Sequence, residues 1–167
     1  MTDSISDCQA SGPEQELQSR IVEQMGDKVR VDIVRARRLM ATAVGREELL
    51  AALRYLRDVH GFTHVSTITG LDSGSNLEAL YHLSNGSLVL TIRLAVPRQE
   101  PNLLTITDIL PGAILYEREL QDMFGFRVEG IPDPRRYVLP EDWPEGVYPL
   151  RKDCPLTPGN TGKPTSE

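Results

Sequence analysis

Cysteine, histidine and aromatic residues are scarce in this chain of 167 residues: two Cys, three His and 5% aromatics. Cys8 and Cys154 lie near opposite ends, in stretches that read as irregular, so neither a disulfide framework nor a C-x-x-C redox or metal motif is supported. His60, His64 and His82 are not spaced as a ligand set, whereas a structural zinc or an iron–sulfur cluster needs about four such ligands. No metal or redox cofactor is therefore expected in the chain itself. His64 and His82 fall on expected strands and His60 near a helix end, and each reads as a hydrogen-bonded structural residue. No apolar run approaches the roughly 20 residues of a membrane span. The acidic start, Met1 to Asp7, lacks the basic region of a secretory leader. The expected location is cytoplasmic, with membrane contact made only through partners. A formal net charge of -6 argues against a nucleic-acid binder. The short basic run Arg35, Arg37, Arg38 reads as a solvated turn between strands, with an anion- or nucleic-acid-binding module as the remote alternative.

What is present fits one domain, long enough to bury about 70% of the surface its unfolded chain exposes. Residues 1–13 and 155–167 have no period that could bury a face, and mobile ends are expected there. Leu17, Ile21, Val22 and Met25 recur at helical spacing and predict a helix over 14–25, stopped by Gly26. Val29, Val31 and Ile33 alternate with polar residues, and Leu39 to Val44 is a second β-compatible run. Leu49, Leu50, Leu53, Leu56 and Val59 predict a core-facing helix over 46–59, with Arg54 and Asp58 paired on its far side and Gly61 at its end. Phe62 to Thr69 reads as a strand. Asn85-Gly86 is a strong hairpin signal, and as a two-residue loop it would pair Leu83 with Leu88, Tyr81 with Leu90, Ala79 with Ile92 and Leu77 with Leu94. The other face would then set Glu78 opposite Arg93 and His82 opposite Val89.

The fold class that follows is α+β: a mainly antiparallel sheet with two helices on one face, a third charged helix over 113–124, then an extended proline-rich C-terminal arm. The body would span 14–125 and the arm 126–154. On the third helix Ala113, Tyr116, Leu120, Met123 and Phe124 form the apolar stripe, with Glu117 and Glu119 at opposite borders. Two carboxylates so far apart cannot easily converge on one reacting atom, so acid/base catalysis by Glu117 or Glu119 beside Arg135 or Arg136 is only a remote alternative. Arg118 and Asp122, four apart on the polar face, would contribute a few tenths of a kcal/mol as an exposed pair. Under another protein they would become directional.

Pro132, Pro134, Pro140, Pro144 and Pro149 stop 131–150 from being a helix or central strand. Yet Tyr137, Val138, Leu139, Trp143, Val147, Tyr148 and Leu150 are too apolar for a disordered tail. Two readings stand: an arm that docks on a partner through aromatic and arginine anchors, or a tail wrapped on its own sheet. The partner-interface candidates are Tyr116, Glu117, Arg118, Glu119, Asp122, Met123, Phe124, Arg135, Arg136, Trp143, Tyr148, Arg151, Lys152 and Asp153.

The run I-T-D-I-L-P-G-A-I-L-Y-E-R-E-L-Q-D-M-F-G at 106–125, then P-D-P-R-R, then P-L-R-K-D at 149–153, resembles the thirty-kilodalton subunit family of respiratory complex I, NADH-quinone oxidoreductase. The same family supplies a subunit to membrane-bound, energy-converting nickel-iron hydrogenases. The resemblance covers about 15–153. It implies a cofactor-free subunit on the cytoplasmic, peripheral arm, clamped to the large subunit with the quinone cavity or nickel-iron site and near a small Fe-S subunit. Fe-S clusters, FMN, quinone or nickel-iron would all belong to partners. The quinone-linked branch is expected to carry G-H-P-D and G-H-P-L-R-K-D. Here Ile131 and Tyr148 stand where those histidines would be, which looks more like the hydrogenase branch.

Overall fold

The computed structural model describes residues 12–155. Cys8 and almost all of the stretches 1–13 and 155–167 lie outside the described residues. Pro13, placed in the first of those stretches, is the opening residue of helix α1 (Pro13–Met25), where a missing N–H costs nothing. Leu17, Ile21 and Met25 are buried, whereas Val22, expected on the same stripe, is 48% exposed. Gly26 ends the helix at φ 56, in a region other residues enter at a cost.

Strands β1 (Val29–Arg35) and β2 (Arg38–Ala43) form an antiparallel hairpin whose exposed turn holds the basic run. Helix α2 (Arg46–His60) buries Leu49, Ala52, Leu53 and Leu56, carries Glu47 and Glu48 in its first turn, and stops at Gly61 with φ 69. Val59 is exposed instead of buried. The expected Arg54–Asp58 pair gives way to a neighbour: Asp58 accepts a 2.7 Å hydrogen bond from Arg57 Nε.

Strands β3 (His64–Asp72), β4 (Asn76–Ser84) and β5 (Val89–Pro97) form a meander, and β5 returns parallel to β2. The five-stranded order is β1-β2-β5-β4-β3, with one parallel contact, β2 with β5. One row across it, Val31, Ala41, Ile92, Tyr81 and Ile68, is buried from edge to edge. That row and its parallels face the helices. On the opposite face, His82 lies between the hydroxyls of Thr69 and Thr91, at 3.3 and 2.9 Å.

The β4–β5 register differs from expectation by two residues: Leu83 pairs with Leu90, Tyr81 with Ile92, Ala79 with Leu94 and Leu77 with Val96. The loop is Gly86-Ser87, with Gly86 at φ 88, because Asn85 does other work. Its Oδ1 accepts from the N–H groups of Ser87 and Leu88, and its Nδ2 donates to the His60 carbonyl at the end of α2. A shift of two leaves every side chain on its expected face, since the strand period is two. Glu78 and Arg93 thus become diagonal neighbours, still bonded at 2.6 Å, and His82 stands opposite Thr91.

After β5 the chain makes β6 (Asn102–Leu104), a buried apolar loop at Ile106, Ile109 and Leu110, a 3-10 turn, helix α3 (Ile114–Phe124) and β7 (Arg127–Glu129), which pairs parallel with β6. The segment read as the start of the arm is therefore first a strand. Helix α3 packs on β3 on the same face as α1 and α2, so close that a Cβ at Gly70 would overlap the Phe124 ring and approach Leu120 at 3.0 Å. Gly70→Ala should cost about 1–3 kcal/mol through overpacking. Thermal unfolding would read this, and an unchanged Tm would mean that α3 moves freely off β3.

Candidate functional site: the third helix and its arm

Helix α3 bonds to the rest of the chain on both sides. Its inward row is Ala113, Glu117, Leu120 and Phe124, and Glu117 is 1% exposed. The Glu117 carboxylate accepts the Ile106 N–H at 2.7 Å and the Thr105 hydroxyl at 2.7 Å. Burial pushes this carboxyl above its ordinary range, against the pull of those two bonds. A residue expected at the border of the stripe and at a partner interface is thus enclosed, where it ties α3 to the 105–110 loop. Tyr116, at the edge of the row, donates its hydroxyl to Ser66 O at 3.0 Å on edge strand β3.

On the outward side Arg118 and Asp122 do not form the expected i,i+4 pair, because each reaches the arm. Arg118 donates to the carbonyls of Arg135 and Arg136, both at 2.9 Å, and lies 3.4 Å from Asp133. Asp122 Oδ2 accepts three consecutive backbone N–H groups, from Tyr137, Val138 and Leu139, at 2.8, 2.8 and 3.2 Å. Successive N–H groups converging on one anion form a nest, the arrangement that binds free anions elsewhere, here filled by a side chain. Asp133 is held well below the ordinary carboxylate range, chiefly by its hydrogen bonds from Arg135. The covering that makes Arg118 and Asp122 directional is therefore the chain's own arm.

The C-terminal end of α3 leaves carbonyls without helical partners, and the arm supplies donors. Leu150 N–H bonds to Met123 O at 3.2 Å, and Arg151 Nε to Phe124 O at 2.6 Å, placing a cation at the negative end of the helix. Gly125 has φ 72, and the Tyr148 ring lies where its Cβ would be. Arg151 stacks on that ring at 4.4 Å. Trp143 Nε1 closes its own turn by donating to Val147 O at 2.9 Å.

The arm ends on a residue that sequence reasoning passed over. Asp72, at the end of β3, accepts the N–H of Lys152 and of Gly74, both at 2.9 Å, together with the guanidinium of Arg98. Arg98 also pairs with Asp153. Burial alone would raise the Asp72 carboxyl, but these donors outweigh it and hold it at about 2. Asp72-Ser-Gly reads as an ordinary turn and Arg98 merely follows a proline, so no local signal marks a latch 80 residues from its partner.

Of the remaining interface candidates, Glu119, Arg135, Arg136, Lys152 and Asp153 are exposed, and Met123 and Trp143 are half-buried. A cavity of about 470 Å³ is lined by Arg118, Arg135, Arg136, Leu139, Pro140 and Glu141. Neither Glu117 nor Glu119 lines it, so the acid/base pairing of those carboxylates with Arg135 or Arg136 is not assembled there. Among the described residues no three His, Cys, Asp or Glu side chains converge as a metal site.

The motif residues that make these contacts lie within a stretch that matches a family model. Residues 42–160 match the respiratory-chain NADH dehydrogenase, 30 Kd subunit. The chain belongs to that family. It is 36% identical over 115 residues to the membrane-bound hydrogenase subunit beta of Pyrococcus furiosus, covering 66% of each chain. It is 37% identical over 119 residues to an NADH-quinone oxidoreductase subunit of a Nocardioides species, covering 66% of this chain and 47% of that one. The matches thus span two thirds or less of those relatives' own length. Among solved structures, a chain of the membrane-bound sulfane sulfur reductase, an archaeal respiratory membrane complex, superposes with a TM-score of 0.74 over 84% of both chains, at 26% identity. The Pyrococcus subunit and the sulfane sulfur reductase are named as membrane-bound, and no described helix of this 30 Kd family member is long and apolar enough to cross a membrane.

Two outcomes follow from the latch geometry. Asp122→Ala should free the N–H groups of residues 137–139, and their amide exchange should rise roughly 100-fold, the equivalent of about 3 kcal/mol of local opening. Unchanged exchange would mean that the arm is held without Asp122. Asp72, with a folded pKa of about 2 against an ordinary 3.8, contributes stability that is full above the unfolded value and lost as pH falls through the folded one. Acidification from about pH 4 to 2 should loosen the Lys152 amide in the wild type. In Asp72→Asn that amide should be loose at neutral pH and insensitive to acid.

Proposed function

We propose that this chain is a structural subunit, without a redox cofactor of its own, in the peripheral arm of a membrane-bound redox complex on the cytoplasmic side. It docks on the large catalytic subunit and lies beside a small Fe-S subunit, supporting electron transfer coupled to ion translocation that partners carry out. The observation that carries this reading is the arm itself. Residues 131–155 form no helix or strand, yet they are fixed to α3 and β3 by Arg118, Asp122, Arg151 and Asp72. A segment ordered in this way displays Arg135, Arg136, Trp143, Lys152 and Asp153 without an ordering cost at the moment of binding. Glu119 and Met123 lie on the same helix beside it.

The hydrogenase branch is favoured. Its relative from Pyrococcus furiosus is named as a hydrogenase subunit, and Tyr148 serves here as a packing ring between Gly125 and Arg151. A position expected to carry a titratable imidazole in the quinone-linked branch is thus a stacking platform. The complex I branch is the second reading, supported by the 37% identity to the Nocardioides NADH-quinone oxidoreductase subunit.

The test is a gentle-detergent pull-down of the tagged full chain, with mass spectrometry of the co-purifying subunits and a nickel assay. Nickel with a four-cysteine large subunit is the expected result, and flavin-bearing NADH-module subunits without nickel would move the chain to complex I. The isolated chain should be colourless and inert toward hydrogen, NADH and quinone. Activity of the chain alone, or a lone monomer under mild conditions, would overturn the subunit reading.

A further inference from the structure

Three cavities along the arm share walls. The first, about 380 Å³, lies between Arg98, Arg127 and Arg151 around Tyr148. The second, about 240 Å³, shares Gly125, Arg127 and Tyr148 with it and extends to Arg136 and Leu139. The third, about 470 Å³, shares Arg136 and Leu139 with the second and reaches Arg118 and Arg135. Through these shared residues they form a grooved surface lined by six arginines, in a chain whose net charge is -6.

These arginines differ in what they have left to offer. Arg98 is neutralised by Asp72 and Asp153, and Arg118 and Arg135 face Asp133. Among the described residues, no carboxylate pairs with Arg127, Arg136 or Arg151; Arg151 spends only its Nε, on Phe124 O. Three guanidinium groups that line the groove therefore keep donors without a carboxylate partner, and guanidinium forks take carboxylates in pairs of hydrogen bonds.

We propose that this groove is the seat of an extended acidic segment of the partner polypeptide, whose spaced Asp or Glu side chains pair with Arg151, Arg127 and Arg136 in turn. The inference rests on the docking role above and names the chemistry of the docked partner. A polyphosphate backbone fits the groove less well. Asp122, Glu141 and Glu145 also line it and would repel a charge at every residue, while carboxylates spaced along a peptide can avoid them. Tyr148, Leu139, Pro144 and Val147 give apolar wall between the cations, which suits peptide side chains.

The test uses the assembled complex. Gln99, exposed at the rim of the first cavity, is replaced by a photoreactive benzoylphenylalanine in the full chain, and crosslinked peptides are read by mass spectrometry. A crosslink to an acidic segment of a partner subunit is expected. A crosslink to lipid, to nucleic acid or to a neutral or basic segment, or no crosslink from an intact complex, would overturn the proposal. In parallel, Arg127→Glu with Arg136→Glu changes two exposed residues whose side chains the arm does not use to hold itself. It should lower recovery of the large subunit at least tenfold, with recovery restored by acid-to-lysine changes in the crosslinked segment. Undiminished recovery would refute the groove while leaving the subunit reading intact; failure of the wild-type chain to recover any large subunit would refute both.

Discussion

One oxygen of Asp122 gathers the N–H groups of residues 137, 138 and 139, and the course of the arm over helix α3 depends on it. The arm makes no strand or helix, so its backbone has few partners of its own, and five prolines between 132 and 149 forbid the regular alternatives. Arg118 takes the two preceding carbonyls, so one turn of α3 engages two acceptors and three donors within 135–139. Charged groups make hydrogen bonds about twice as strong as neutral ones, and here both charges belong to a helix that the core already holds rigid. The arm inherits that rigidity from Leu120 and Phe124, which seat α3 against Gly70.

The same helix shows how a dense charged motif can be shared out. Glu117 turns inward and fixes the loop before the helix, Arg118 and Asp122 turn outward and fix the arm after it, and Gly125 leaves room for the Tyr148 ring. Motif residues that invite an intermolecular interpretation mostly act within the chain. What they produce is a preformed surface whose outward side retains unpaired arginines, and preorganisation of that kind lowers the entropy lost on association. The motif thus contributes to docking by shape first and by direct contact second.

Legibility differed sharply between elements. Helices α1 and α2, the strands β1 to β5 and the hairpin are readable because burial of one face writes a period of 3.6 or 2 into the residues themselves. The register at Asn85 slipped by two because a turn residue can spend its side chain on Ser87, Leu88 and the His60 carbonyl instead of adopting positive φ. Val22 and Val59 fall at the spacing of buried stripes that are narrower than the spacing allows. Strand β7 reads from the residues as part of the arm, since three residues with one buried valine leave almost no pattern.

The order of residues was enough to specify an α+β body with helices on one face, a charged third helix, a proline-stopped irregular ending, and the family through residues 106–125 and 149–153. Those properties are local or periodic, set by residues within a few positions of one another. Packing in three dimensions settled the rest: Glu117 lies inside, Arg118 and Asp122 reach the arm instead of each other, and Asp72 and Arg98 close it at Lys152 and Asp153. These partners lie between 11 and 80 residues apart. A carboxylate carries no mark of whether its donors will come from solvent, from a partner or from its own chain, and the fold alone assigns them.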